Sequence, residues 1–117
     1  VDTAIRVFPP VVEFHQIELG PLYVVTLSIQ NATKSVRRIR IVPPKTKEFS
    51  LHFTPAKEIA PGLDFHAEIE FQADQLIDLE DEIIVVSEGE AIRVPLYAFI
   101  PTPYLNYNQY LTSGKLY

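Results

Sequence analysis

The chain has 117 residues, the length of one ordinary domain, with 47% hydrophobic and 21% charged residues, a balance that builds a packed core and excludes disorder. Cysteine is absent, which excludes disulfide scaffolds, thiol nucleophiles and cysteine-ligated zinc or iron–sulfur centres. The net charge of −5 gives no overall attraction to nucleic acid, no apolar run is long enough for membrane insertion, and no basic-then-apolar leader is visible.

Ile5 to Phe8 and Val11 to Phe14 read as a first strand broken at Pro9-Pro10, because proline brings no N–H to a ladder. Leu22 to Gln30 alternates, with Tyr23, Val25, Leu27 and Ile29 on the inward face. Asn31-Ala32-Thr33 matches a glycosylation acceptor, which matters only in a secreted protein. It reads better as turn chemistry, since Asn tolerates the left-handed conformation and bonds its own backbone. Val36 to Val42 sets Ile39 and Ile41 on one face and Arg38 and Arg40 on the other. Phe49, Leu51 and Phe53 alternate with Ser50 and His52, and the pairs Phe49/Phe53 and Phe65/Phe71 read as core. The clearest strand is Asp64 to Gln72, where Phe65, Ala67, Ile69 and Phe71 oppose Asp64, His66, Glu68, Glu70 and Gln72. Asp74 to Glu82 has room for one helical turn, and Ile83 to Val86 reads as a strand covered on both faces. Ala91 to Ile100 is the last strand, and Pro95 within it marks an exposed edge or a bulge. Turns fall at Gly20-Pro21, Pro43-Pro44, Pro61-Gly62 and Glu88-Gly89-Glu90. The sum is an all-β fold, an immunoglobulin-like antiparallel β-sandwich of seven to eight strands, with a small barrel as the alternative. Residues 1–100 form this domain. Residues 101–117, with four tyrosines, are a linker that opens a following domain or a tail packed on the sandwich.

The segments resemble, in order and spacing, the ASH/hydin family and the related major sperm protein domain. The likeness rests on Pro9-Pro10-Val11-Val12-Glu13-Phe14, on Ser28-Ile29-Gln30-Asn31-Ala32-Thr33, and on the Arg-bearing Val36 to Val42. It continues through Ile59-Ala60-Pro61-Gly62 with Ala67-Glu68-Ile69-Glu70-Phe71, and through Val94-Pro95-Leu96 with Ala98. The resemblance covers residues 5 to 100. It implies an immunoglobulin-like sandwich that recurs in tandem in ciliary, flagellar or centrosomal proteins and acts as a scaffold. It also implies placement in the axoneme or cytoskeleton; without it, the chain reads as cytoplasmic. The basic motif by which major sperm protein domains capture acidic membrane-contact peptides has no match here.

Charge is segregated. Lys34, Arg37, Arg38, Arg40, Lys45 and Lys47 are six of the ten basic residues, whereas Glu58 to Glu90 holds eleven acids and no Lys or Arg. Arg38 and Arg40 stand about 7 Å apart along a strand, so their charges reinforce one another. These six are the candidate partner-binding residues, facing acidic tubulin tails or an acidic neighbouring domain. The competing reading is a solvated face paired with the acidic half of the same domain. Asp78 to Glu82 lacks the glycine and spacing of a calcium loop and reads as a solvated loop. His15, His52 and His66 lie too far apart in sequence to suggest zinc, although His66 shares a face with Glu68 and Glu70. No nucleophile elbow or phosphate-cradling loop is present. The catalytic, cofactor-binding and metal-ligating sets are therefore read as empty.

The function expected is a non-catalytic structural and protein-interaction module of a large ciliary or flagellar axonemal scaffold. Its partners would be tandem neighbours and axonemal or microtubule-associated proteins, tubulin among them, with no nucleic acid and no small-molecule substrate. It would dock by the basic strand Val36 to Val42 and by strand addition at the sheet edge near Pro95. One alternative is an adaptor that binds acidic or phosphorylated motifs through the basic strand. Another is an accessory sandwich domain of a secreted or periplasmic protein.

Overall fold

A computed structural model describes residues 4–53 and 58–101. The segment read as linker or next domain lies, beyond Pro101, outside the described residues. Among the described residues there are ten strands: β1 (Ile5–Phe8), β2 (Val12–Phe14), β3 (Tyr23–Asn31), β4 (Arg37–Arg38), β5 (Arg40–Val42), β6 (Phe49–Phe53), β7 (Glu58–Ile59), β8 (Asp64–Phe71), β9 (Leu79–Ser87) and β10 (Glu90–Ala98). Eight of them form two four-stranded sheets, β1-β3-β8-β6 and β2-β10-β9-β5, and β4 pairs with β7 in a small ribbon. This is the expected immunoglobulin-like sandwich.

The chain changes sheets at Pro9-Pro10. β1 lies antiparallel on β3, and β2 then enters the other sheet parallel to Leu96–Ala98 of β10. That is the one parallel ladder among the described strands, a departure from the wholly antiparallel expectation. Two prolines in a row withhold two N–H groups, which ends one ladder and lets the next begin.

Period-2 patterning fixes the register, because a slip by one residue would turn Ile69 and Phe71 outward and Glu68 and Glu70 inward. Leu27, Ile29, Ile69, Phe71, Ile83, Val94 and Leu96 are buried where the sheets meet. Phe71 is the hub of an aromatic cluster, 4.9 Å from Phe49 and 5.6 Å from Phe14 by ring centroid. A smaller cluster of Ile5, Ile29, Ile59 and Val85 closes the end near the β9–β10 hairpin.

Four local expectations are corrected. Asp74 to Glu82 forms no helical turn: β9 begins at Leu79, so Glu80–Glu82 lie in a strand and not in a loop. The alternation of Leu79, Asp81 and Ile83 inward favours the extended form. Ile83 to Val86 is not covered on both faces, since Ile83 and Val85 are buried while Ile84 and Val86 are half-buried outward. Phe53 is 39% exposed and meets Phe65 edge-on, so it lies at the rim of the core and not inside it. Asn31 ends β3 and is absent from the residues in the left-handed region, which are Gln16 and Glu88 besides glycines. The hairpin turn at Glu88-Gly89 has positive φ at both residues (40° and 90°), as a two-residue β-hairpin requires.

Candidate protein-interaction surface

The basic segment follows a buried clamp. Asn31 is fully buried, and its side-chain amide donates to the carbonyls of Ser35 and Ile59, both at 2.8 Å. Its Oδ1 accepts from the Thr33 N–H at 2.9 Å and the Thr33 hydroxyl at 2.7 Å. One residue thus joins the end of β3, the loop carrying Lys34, and β7, the strand on which Arg37 and Arg38 pair. Its side chain does bond the backbone two residues on, as expected, but from a strand conformation.

The six cations do not act alike. Arg37 is half-buried: its Nε donates to Ser87 Oγ at 3.2 Å and its Nη2 to the Ser87 carbonyl at 3.3 Å, so it closes the end of β9. Lys47 is exposed and meets Asp74 at 2.8 Å. The hydrogen bond and charge of Asp74, helped by Glu48, hold its ammonium above its ordinary pKa. Lys45 is exposed, and its backbone N–H is held by Asp81 at 2.9 Å. Lys34, Arg38, Arg40 and Lys45 are exposed, and among the described residues no carboxylate lies within ion-pair distance of their side chains. Arg38 and Arg40 belong to different strands, β4 and β5, yet share the outward direction because half-buried Ile39 lies between them.

The acidic half of the domain does grip this segment, but mostly by its backbone. Glu88 accepts the Arg38 N–H at 2.9 Å, and Asp81 accepts those of Lys45 and Thr46, the latter at 2.6 Å. Burial pushes the Asp81 carboxyl up. The hydrogen bonds from Thr46, Glu82 and Lys45 outweigh that, leaving its pKa below 3.8. The result is a segment fixed through its amides that presents Lys34, Arg38 and Arg40 to solvent. Sequence patterning located the charges. It missed the Asn31 clamp, for which the Asn-x-Thr turn was the only signal.

His15 follows β2 of the second sheet, whereas His52 and His66 lie in the first. His15 meets Glu13 and His52 meets Glu70, each at 3.0 Å. His52, His66 and Glu68 share an open depression on the outer face of the first sheet. Among the described residues, no three His, Asp or Glu groups are arranged to hold a metal ion.

A two-sheet sandwich whose first strand is shared between the sheets is similar in fold to domains of the ASH, major sperm protein and PapD-like class. The PapD-like domain 7 of human CEP192, an ASH/PapD-like domain, superposes with a TM-score of 0.70 at 13% identity, over 84% of this chain and 85% of that one. The Caenorhabditis elegans major sperm protein family member WR4 gives 0.63 at 12% identity, over 83% and 99%. These likenesses define the fold. The family follows from sequence: residues 5–98 match the model of the Deleted in lung and esophageal cancer protein 1 Ig domain, and the chain belongs to that family. It is 33% identical to human Deleted in lung and esophageal cancer protein 1 over 111 residues, 91% of this chain and 6% of that protein. It is 28% identical to human Cilia- and flagella-associated protein 47 over 116 residues, 98% of this chain and 4% of that protein. The chain therefore corresponds to a small fraction of the length of these relatives, and it is a domain of the type found in cilia- and flagella-associated proteins.

Proposed function

We propose that this domain is a non-catalytic structural and protein-interaction module of a large ciliary or flagellar axonemal scaffold, docking through Lys34, Arg38 and Arg40. One observation carries the docking site: a segment anchored by its backbone amides whose cations are left to solvent. A rigid backbone beneath exposed charge lowers the entropy lost on docking, and the charge steers an acidic partner. Arg37 and Lys47 support the ridge without belonging to it, since one plugs β9 and the other is paired with Asp74. Family membership, with relatives that are cilia- and flagella-associated, supports the axonemal setting. The same proposal extends to organisation: residues 1–100 form the domain, and 101–117 are a linker that opens a following domain or a tail packed on the sandwich.

The test is affinity capture from detergent-extracted cilia, using the parent chain and a Lys34→Glu/Arg38→Glu/Arg40→Glu variant. Circular dichroism establishes that both are folded. Axonemal proteins, tubulin among them, recovered by the parent alone support the assignment. Equal recovery by both refutes the ridge as the docking site.

A further inference from the structure

The division of the first strand leaves a gap between the sheets. β2 covers only Leu96–Ala98, so among the described residues no strand pairs with Glu90–Pro95 on the side away from β9. The backbone alternation fixes what faces that gap. Phe99 donates its N–H to the Phe14 carbonyl at 2.8 Å, and its own carbonyl accepts from Ile17, so its polar groups point to the β2 side. Counting back by twos along an antiparallel strand, the groups of Tyr97, Pro95, Arg93 and Ala91 point the same way. Pro95 has no N–H to leave unpaired there. Ala91 and Arg93 do.

Across the gap lies the outer edge of β1. The Ala4 carbonyl accepts from Ala32 on the β3 side, so Ile5 and Val7 turn their polar groups outward. Glu90 spans the gap at one end, its carboxylate accepting the Ala4 and Ile5 N–H groups at 3.3 and 3.2 Å, which commits it to this chain. Between the two edges lies an open cleft of about 270 Å³ with half-buried Val7 and Ile92 along it, buried Ile5 and Val94 at its base and Arg6 and Arg93 at its lips. That is smaller than the roughly 300–1,000 Å³ of a small-molecule pocket, and it suits the alternate side chains of an extended segment. Arg6 has no carboxylate in ion-pair range among the described residues, and Arg93 shares only an exposed contact with Glu82 at 3.3 Å.

We propose that this cleft accepts an extended acidic–apolar segment of a partner protein, which adds a strand to the open edge of β10. Apolar side chains fill the floor, Asp or Glu side chains meet Arg6 and Arg93, and the Ala91 and Arg93 amides supply the ladder. This site does not depend on the Lys34–Arg40 ridge.

The test uses the 117-residue chain and fluorescein-labelled peptides of about twelve residues, long enough for one added strand, alternating Glu with Val or Lys with Val. Fluorescence anisotropy reads binding, and amide hydrogen exchange by NMR reads its place. The Glu–Val peptide is expected to bind about tenfold or more tightly than the Lys–Val peptide and to slow exchange at Ala91 and Arg93. Ala91→Pro removes an outward N–H without touching the β9 ladder. It should keep the parent circular dichroism and weaken binding about tenfold. An Arg6→Glu/Arg93→Glu variant leaves the backbone alone and should reverse the peptide preference. The ridge variant Lys34→Glu/Arg38→Glu/Arg40→Glu should still bind, which separates failure of the ridge from failure of the cleft. Four results would overturn the proposal: no binding of either peptide, undiminished binding by folded Ala91→Pro, loss of binding in the ridge variant, or Ala91 and Arg93 amides already protected in the unliganded chain.

Discussion

Replacing Asn31 with Ala strikes the clamp that holds the basic segment. Four contacts go at once: two donated to the carbonyls of Ser35 and Ile59, and two accepted from Thr33. The Ile59 carbonyl is buried, so leaving it without a donor costs about 1–3 kcal/mol, and the part-buried groups add about 0.5–1 kcal/mol each. A total near 3 kcal/mol is expected, a large share of the roughly 5–15 kcal/mol that holds a domain together. Urea unfolding followed by circular dichroism should show the midpoint fall by about 2 M with the slope unchanged, taking a slope of about 1.5 kcal/mol/M. NMR of the folded variant should place the largest amide shifts at Arg37, Arg38 and Ile59. A midpoint loss under about 0.5 M, or shifts confined to Thr33, would refute the clamp.

Three further substitutions separate strong contacts from weak ones. Asp81→Ala should cost about 1 kcal/mol at neutral pH by releasing the turn at Lys45 and Thr46. Because the folded carboxyl titrates below 3.8, that contribution is complete above the unfolded pKa and fades as pH falls through the folded one. The urea midpoints of parent and variant should therefore converge as pH falls below the ordinary carboxylate range, and a gap that stays constant as the solution is acidified would contradict this. Lys47→Ala removes an ion pair whose side chains are 76% and 56% exposed and screened by solvent, so thermal unfolding of the variant should be indistinguishable from that of the parent, and a clear drop in its midpoint would contradict this. Phe71→Ala empties the centre of the aromatic cluster and should cost about 3–5 kcal/mol in the same urea assay, and a loss below about 1 kcal/mol would mean the cluster repacks.

Much of the sandwich is legible because its signal is local. Strand alternation at Asp64–Phe71 and Tyr23–Asn31, the prolines at 9 and 10, and the hairpin at Glu88-Gly89 each act within a few residues. What escaped was set by partners distant in sequence. Asp81 lies in an acidic run that resembles a loop until Lys45 and Thr46, 36 and 35 residues away, are brought to its carboxylate. The role of Arg37 depends on Ser87, 50 residues on, and nothing in the spacing of the arginines separates it from Arg38. Pro95 did mark an open edge. The cleft itself needed β1 and β10 to be placed side by side.

The central claim is that Lys34, Arg38 and Arg40 form a docking ridge in a ciliary setting. The most direct measurement is quantitative co-sedimentation of the 117-residue chain with demembranated axonemes at about 50 and 200 mM salt, for the parent and the Lys34→Glu/Arg38→Glu/Arg40→Glu variant. The account predicts saturable binding by the parent that weakens with salt, and at least about tenfold weaker binding by a folded variant. Equal binding by parent and variant, or parent binding indifferent to salt, would contradict it.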